Sequence, residues 1–208
     1  MRRSVLIIAF IGASCLLAQE LTPTALPPPQ TNGGRPLMQV LKDRKTTREF
    51  APDKFTPQLL SNLLWAAFGV NRPDGRRTAP SAMNWQEIDI YVATSDGLFV
   101  YDAKGSRLEP VLAQDLRPAT GTQPFVAAAP LNLVYVADLA KAGSGPDTEM
   151  FIAADAGFIS QNVYLFCASE GLATVVRGSI DRVALAKAMK LRPQQKIILA
   201  QTVGYPKK

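Results

Sequence analysis

The stretch from Asp147 to Gly171, DTEMFIAADAGFISQNVYLFCASEG, predicts the element around which the chain is organised. Its start is typical of a helix N-terminus, because Pro146 precedes Asp147, a favourable N-cap residue, and Glu149 adds negative charge where the helix dipole favours it. Gly171 predicts the end of the helix, since glycine readily adopts the left-handed conformation that follows a last helical turn.

Apolar residues occur all around this predicted helix rather than on one face. A helix that is apolar on every side is expected to be buried on every side. Asp155, Gln161 and Asn162 interrupt the apolar pattern and argue against a membrane span. A chain of 208 residues buries such a helix fully only at its centre or between two copies of itself. We therefore predict a central helix at a homodimer interface.

The composition, 47% hydrophobic and 19% charged, is typical of one globular domain. The net charge of +6 is diffuse and no basic face rich in aromatic residues is visible, so we expect no nucleic-acid partner. The sequence has no histidine and only two cysteines, which excludes Ser-His-Asp and Cys-His catalysis and argues against a metal site. We therefore assign no catalytic side chain and no metal ligand. Four tyrosines are acid or base candidates by residue type, but each lies in a predicted strand or helix and is expected in the core: Tyr91, Tyr101, Tyr135 and Tyr164. An enzyme of this composition is expected to use an organic cofactor.

The N-terminal residues 1–18 are typical of an export signal, with two arginines ahead of an apolar run from Val5 to Leu17. Cleavage after Ala18 is one interpretation. Lipid attachment at Cys15 is the other. Both predict an exported protein, either periplasmic or secreted, and the second predicts a membrane-anchored lipoprotein.

A segment rich in proline, threonine and glycine, residues 19–36, predicts an extended linker ahead of a domain at residues 37–208. Within the domain, helical spacing of apolar residues predicts helices and alternation predicts strands. The predicted helices are 37–43, 56–69, 110–116, 147–171 and 181–189, and the predicted strands are 87–94, 97–102, 106–108, 131–137, 172–176 and 196–203.

Three cations and two hydroxyl side chains fall between Arg44 and Arg48, and Phe50 follows as an aromatic anchor. This composition suits a phosphate clamp, in which cations supply charge and hydroxyl groups supply hydrogen bonds. From residue types alone, a solvated basic loop is the alternative interpretation.

A second candidate segment runs from Thr78 to Gln86. Its small residues, its proline and its side-chain amides would let the backbone approach a flat ligand closely. The alternative interpretation is a loop that leads into a short helix.

Several segments, in the same order along the chain, resemble the nitroreductase-like flavoproteins. Residues 44–50 resemble the opening Arg-x-Ser-x-Arg/Lys-x-Phe motif, with a threonine that keeps the hydroxyl of the usual serine. Residues 64–82 resemble the branch that contains thiazoline and oxazoline dehydrogenases, whereas the run from Asn84 to Gln86 is closer to the Asn-x-Gln of ordinary nitroreductases. Residues 171–178 and 203–207 resemble later segments of the family.

The resemblance implies an α+β fold with a central mixed sheet flanked by helices, and an intertwined homodimer with FMN at its interface. The side chains near residue 44 would hold the phosphate and ribityl chain, while the loop near residue 81 would approach the flavin from the partner subunit. The resemblance leaves the role of Arg177 open, since some relatives carry an acid there. The expected FMN-binding residues are Arg44, Lys45, Thr46, Arg48, Pro80, Ser81, Ala82, Asn84, Gln123, Val175, Val176, Gly178 and Lys207.

The favoured functional hypothesis is an exported FMN-dependent oxidoreductase that transfers hydride or electrons between flavin and a small organic substrate. One alternative is a dehydrogenase that oxidises azoline rings in modified peptides. The other is a flavin-binding protein without turnover, because function rests on the site rather than on the fold.

Overall fold

The computed structural model describes residues 21–208, so the predicted export signal, with Cys15 and Ala18, lies outside the described residues. Helices alternate with strands in an α+β arrangement, as predicted. The α-helices are α1 (Leu37–Asp43), α2 (Pro57–Phe68), α3 (Phe125–Ala128), α4 (Thr148–Glu170) and α5 (Arg182–Ala188). The strands are β1 (Thr24–Ala25), β2 (Phe50–Ala51), β3 (Ile88–Thr94), β4 (Gly97–Asp102), β5 (Arg107–Leu112), β6 (Leu131–Asp138), β7 (Ala173–Arg177) and β8 (Gln195–Pro206).

One sheet contains all of these strands, in the order β1-β5-β4-β3-β6-β8-β2, with β7 also paired to β8. Every pairing among the described strands is antiparallel, whereas a mixed sheet was expected. The reason lies in the place of β8, which pairs with β6 on one edge and with β7 on the other. The strands β6 and β7 run in the same direction but never touch, because β8 separates them.

Four of the predicted helices form close to their predicted bounds. The helix predicted over residues 110–116 is wrong, because residues 110–112 continue strand β5 and pair with β4. The last strand runs three residues further than predicted. This extension follows from pairing with β2, in which Phe50 lies opposite Pro206. It places Lys207 beside the segment that follows α1, because the backbone nitrogen of Lys207 donates to the carbonyl of Glu49 at 3.3 Å.

The two faces of the sheet bury different helices. Alternate residues of β3 and β6, such as Ile90 and Leu133, pack with α2 and α4 in one cluster. The residues between them, such as Tyr91 and Val134, pack with α5 on the other face. Both faces of β6 are therefore covered, and every residue of that strand is buried.

The long helix α4 buries one face within its own chain. The buried residues Ile152, Ala156, Ile159 and Val163 recur at helical spacing and pack against the sheet. The opposite face carries exposed apolar side chains, among them Phe158, which is 48% exposed. The sequence predicts that α4 is buried on every side, whereas in the single chain only one side is buried. By length and hydropathy alone, α4 also passes for a membrane span, although its buried face packs as in a core helix.

Of the two capping residues predicted for α4, the one at the C-terminal end is confirmed and the one at the N-terminal end is not. Gly171 adopts the left-handed conformation (φ 70°) at the C-terminal end, as predicted. At the start, the side chain of Asp147 makes no capping hydrogen bond.

Most of the segment predicted as a linker lies against the domain in the described part of the chain. Strand β1 pairs with β5, and Leu26 is buried in the main core. Further along, the carbonyl of Pro27 accepts a hydrogen bond from Ser61 at 2.5 Å, and Arg35 pairs with Asp43. Proline fixes the backbone in an extended form, which suits an outer strand as well as it suits a free linker.

Candidate functional site

The segment 44–48 runs along the outer edge of β7. The backbone nitrogen of Thr47 donates to the carbonyl of Thr174 at 3.0 Å, which fixes the segment against that strand. Next to it, Thr46 Oγ1 shares a 3.0 Å hydrogen bond with the hydroxyl of Tyr164, on α4. The same hydroxyl accepts a 3.0 Å hydrogen bond from the backbone nitrogen of Val176. One phenol oxygen therefore joins the segment, the helix and the strand.

Four cations lie within this segment or beside its end, where Lys207 N donates to the carbonyl of Glu49, and we refer to them as the cation cluster: Arg44, Lys45, Arg48 and Lys207. The guanidinium of Arg44 lies 5.2 Å from the centre of the Tyr164 ring. Lys45 and Lys207 line one cavity of about 650 Å³. None of the four forms an ion pair with any residue in the range 21–208. Cations that lack carboxylate partners and border a cavity are suited to an anionic ligand.

A second part of the candidate site is the loop of residues 80–86. Three of its residues have left-handed backbone conformations: Met83 (φ 47°), Asn84 (φ 57°) and Gln86 (φ 50°). Such conformations are unfavourable for residues other than glycine and persist only where the surroundings hold them. Two hydrogen bonds do so here, because Ala82 N donates to Asp155 Oδ2 at 2.8 Å and Gln86 N donates to Ser81 Oγ at 2.8 Å. Pro80 and Asn84 remain exposed at the surface of the loop.

The third part joins residues 121–123 to the turn after β7. Thr122 N donates to the carbonyl of Ser179 at 3.3 Å, and the two hydroxyl groups are 2.9 Å apart. This contact holds residues 121–123 against the turn that follows Gly178, and Gln123 Oε1 lies beside Gly121. The Oε1 atom of Gln123 is buried and has no hydrogen-bond partner among the described residues. A buried acceptor without a donor is unfavourable, so a ligand donor at this position would stabilise it.

The two valines of β7 have different roles. The carbonyl of Thr174 is bonded to Thr47, and the nitrogen of Val176 is bonded to Tyr164, so both groups point away from β8. Since backbone directions alternate along an antiparallel strand, the backbone of Val175 faces β8 instead. Its side chain is 2% exposed and packs with Phe50. The backbone of Val176 therefore faces the candidate site, where its nitrogen is bonded to Tyr164, while Val175 supports the strand.

Arg177 is 4% exposed and points into the core, where its guanidinium lies against Gly121. Its guanidinium donates to Thr120 O at 2.8 Å, to Thr202 Oγ1 at 3.0 Å and to Asn132 Oδ1 at 3.1 Å. Burial lowers the pKa of Arg177 to about 10. Its hydrogen bonds join β7 and β8 to the turn at residues 117–120, so its role is structural.

The structure brings some of the expected residues together and keeps others apart within one chain. Arg44, Thr46 and Val176 meet around Tyr164, whereas the loop 80–86 is anchored at Asp155. Nine residues of helix separate the two anchors, or about 13 Å along the axis of α4. Tyr164 itself was expected in the core, and its ring is buried. Only the hydroxyl reaches the site, which helical apolar spacing cannot indicate.

These features define an α+β protein in which a long central helix supports a cation-rich segment on one side and a strained loop on the other. The Nitroreductase family model matches residues 41–205 of the chain. The chain belongs to the nitroreductase family. Members of this family are flavoproteins, and an oxidoreductase function follows for the class.

Individual relatives agree with this assignment. A nitroreductase-like protein of Methanocaldococcus jannaschii is 29% identical over 168 residues, which is 75% of this chain and 85% of that protein. A crystal structure of a nitroreductase-like protein from Ralstonia eutropha is 42% identical with a TM-score of 0.87, and covers 99% of this chain and 97% of that chain. The NADPH:FMN oxidoreductase of Vibrio harveyi, complexed with NAD+, is 18% identical with a TM-score of 0.64 over 83% of this chain and 69% of that chain, and shares the fold.

Proposed function

We propose that this chain is an FMN-dependent oxidoreductase that works as a homodimer and reduces or oxidises a small organic substrate. The observation that carries the proposal is the cation cluster, whose four cations have no ion-pair partner in the described chain. When bound, the flavin ring supplies the hydride and electron chemistry, which agrees with the absence of histidine from the sequence.

The chain's own residues would hold such a cofactor at both ends. Arg44, Arg48 and Lys207 would neutralise the phosphate, and Thr46 would add a hydroxyl hydrogen bond. At the ring end, Gln123 Oε1 is a buried acceptor that an N–H group of the ligand would satisfy. The residues present therefore fit a ligand with a phosphate at one end and hydrogen-bond donors at the other.

The dimer part of the proposal rests on the apolar faces of α1 and α4, which contact each other. We name this surface the apolar face and define it by Leu37, Met38, Leu41, Met150 and Phe158. Each of the five is at least 45% exposed in the single chain. Five large apolar side chains on two neighbouring helices exceed what a monomer surface usually leaves open. A second copy of this chain would cover them.

Such a dimer would also join the two halves of the site. Phe158 and Gln161 lie on the exposed side of α4, midway between Asp155 and Tyr164. If a two-fold axis passes near these residues and the two copies of α4 run antiparallel, the Asp155 region of one copy faces the Tyr164 region of the other. The loop 80–86 of one copy would then lie near the cation cluster of the other.

The experiment that tests the proposal is the absorbance spectrum of the purified protein with analysis of the released cofactor. We expect flavin bands and release of FMN rather than FAD on denaturation. A colourless protein that stays colourless after mixing with FMN would overturn the proposal. Comparing the turnover of nitroaromatic compounds with the turnover of azoline-containing peptides then separates a general oxidoreductase from an azoline-oxidising dehydrogenase. Flavin without turnover on either would indicate a binding protein.

Export remains part of the proposal and rests on residues 1–18 alone. Cell fractionation of the full chain and of a chain lacking residues 2–18 tests it. Recovery of both forms in the same fraction would contradict export. A Cys15→Ser variant, compared by detergent partitioning, separates a cleaved secreted form from a lipid-anchored one.

A further inference from the structure

Two carboxyl groups meet beneath the loop 80–86, away from water. Glu87 is 0% exposed and Asp155 is 3% exposed. Glu87 Oε2 accepts a 3.2 Å hydrogen bond from Ser81 Oγ, and Asp155 Oδ2 accepts the 2.8 Å hydrogen bond from Ala82 N. Ser81 and Ala82 are consecutive residues, so these two hydrogen bonds hold both carboxyl groups beneath the same turn of the loop. Glu87 Oε1 has no partner among the described residues.

The charged groups around this pair are bonded elsewhere. Arg77 donates to the Gln86 side chain at 2.8 Å, and Arg192 pairs with Asp138 at 2.6 Å. Asp138 belongs to the end of β6, where its backbone nitrogen donates to the carbonyl of Glu87. No cation of the described chain forms an ion pair with Glu87 or Asp155. Two adjacent buried carboxylates without a cation cannot both be ionised at low cost.

The direction of the pKa shift agrees with this geometry. Burial raises the pKa of Glu87 above its ordinary 4.5, and the neighbouring charge of Asp155 raises it further. Hydrogen bonds from the Glu87 backbone and from Ser81 oppose these effects on the pKa without reversing them.

We propose that Glu87 and Asp155 share one proton, and that this proton holds the loop 80–86 in the conformation that faces the cofactor. The shared proton makes one carboxyl a donor to the other, so that the pair carries a single negative charge. Both are positioning residues, since they act through Ser81 and Ala82. The effect on the cofactor rests on the proposed function, whereas the shared proton does not.

The strained backbone explains why the loop depends on this proton. Met83, Asn84 and Gln86 are left-handed, and they relax if their anchors loosen. Loss of the proton to solvent puts two negative charges side by side. Their repulsion displaces Asp155, which holds Ala82, or Glu87, which accepts from Ser81. The loop is therefore expected to loosen as the pH rises.

The sign of the pH effect follows from the raised pKa. The folded protein binds this proton more tightly than the unfolded chain does. The stabilisation is therefore complete below the ordinary pKa of 4.5 and is lost as the pH rises through the raised value. If flavin binding requires the ordered loop, FMN affinity falls in the same window. Because one proton is linked, the loss is at most about tenfold per pH unit.

The first test is infrared titration of the full chain without cofactor. We expect a carbonyl band of a protonated carboxylic acid that persists well above the pH at which exposed carboxyl groups ionise, and that is missing in Glu87→Gln. The exposed Glu149→Gln is the matched control and should keep the band. In Asp155→Asn the band should persist but titrate at lower pH, since the neighbouring charge is gone. A band unchanged in Glu87→Gln would overturn the proposal.

The second test is FMN titration across the pH range in which the band disappears. Wild type should lose affinity as the pH rises, while Glu87→Gln, which keeps a neutral donor to Asp155, should bind at the low-pH level throughout. The same pH dependence in both proteins would overturn the role in the loop. If neither protein binds FMN at any pH, the proposed function fails, and the infrared result still decides whether the proton is shared.

Discussion

The hydroxyl of Tyr164 lies 3.0 Å from Thr46 Oγ1, although 118 positions of sequence separate the two residues. This contact ties the cation-rich segment to the central helix. The same hydroxyl accepts from the Val176 nitrogen on β7. The site is therefore assembled by one side chain from the helix that also builds the core.

Removing this hydroxyl with Tyr164→Phe should weaken FMN binding and leave the fold intact. The ring keeps its packing, while Thr46 and Val176 lose a partner, which corresponds to about 0.5–1.5 kcal/mol of binding free energy. Fluorescence titration of FMN measures the loss. Tyr101→Phe, on β4, is the matched control and should bind as wild type does. Equal affinity in all three proteins would show that the junction does not support the cofactor.

Replacing either arginine of the cation cluster should weaken FMN binding through lost charge. We expect Arg44→Ala and Arg48→Ala each to cost about 1.5–3 kcal/mol, the range for hydrogen bonds to charged groups. Titration at low flavin concentration is the measurement, and salt should reduce the difference. Arg107→Ala, an exposed arginine of β5, serves as the control. Full flavin occupancy of both variants at low flavin would place the phosphate elsewhere.

A charge in the apolar face should separate the two copies. Phe158→Glu puts a carboxylate on the exposed side of α4 and should yield a monomer that no longer holds FMN, since half of the site is lost. The interface is expected to exceed about 2,000 Å² in total. Light scattering with a flavin assay tests this. The control Val183→Glu changes a side chain that is 83% exposed on α5 and should stay dimeric. A flavin-loaded monomeric wild type would contradict the dimer.

Loss of the buried guanidinium should destabilise the protein without removing an FMN ligand. Arg177→Met leaves Thr120, Asn132 and Thr202 with unpaired groups, and we expect a loss of about 2–4 kcal/mol in the free energy of unfolding. Urea unfolding measures it. Gly121→Ala should act similarly, because a Cβ there would lie 1.9 Å from Arg177 Nη1. If folded Arg177→Met binds no FMN, Arg177 serves the cofactor after all.

The thiol of Cys167 should be inert in the folded protein. Burial raises the pKa of the Cys167 thiol well above its usual range, and the side chain is 1% exposed. Alkylation followed by mass spectrometry should therefore modify Cys167 only after denaturation. A Cys15→Ser background removes the other cysteine of the chain from the measurement. Rapid modification of the native protein would indicate that the C-terminal half of α4 opens readily.

The sequence by itself determined the local elements. Apolar spacing located the four main helices, and Gly171 marked the end of α4, because these signals depend on neighbours along the chain. The run of cations from Arg44 to Arg48 indicated an anion site for the same reason, since its charge density is visible in five consecutive residues.

The tertiary structure decided which side of each helix and strand is buried and which side chains reach the candidate site. Phe158 and Ile159 are consecutive and both apolar, yet one is 48% exposed and the other 0%, because only one faces the sheet. Tyr164 was expected in the core, and Arg177 had no assigned role. Tyr164 reaches the site through its hydroxyl, and Arg177 places its guanidinium in the core. These outcomes depend on contacts between residues far apart in sequence, such as Ala82 with Asp155, which composition and periodicity do not encode.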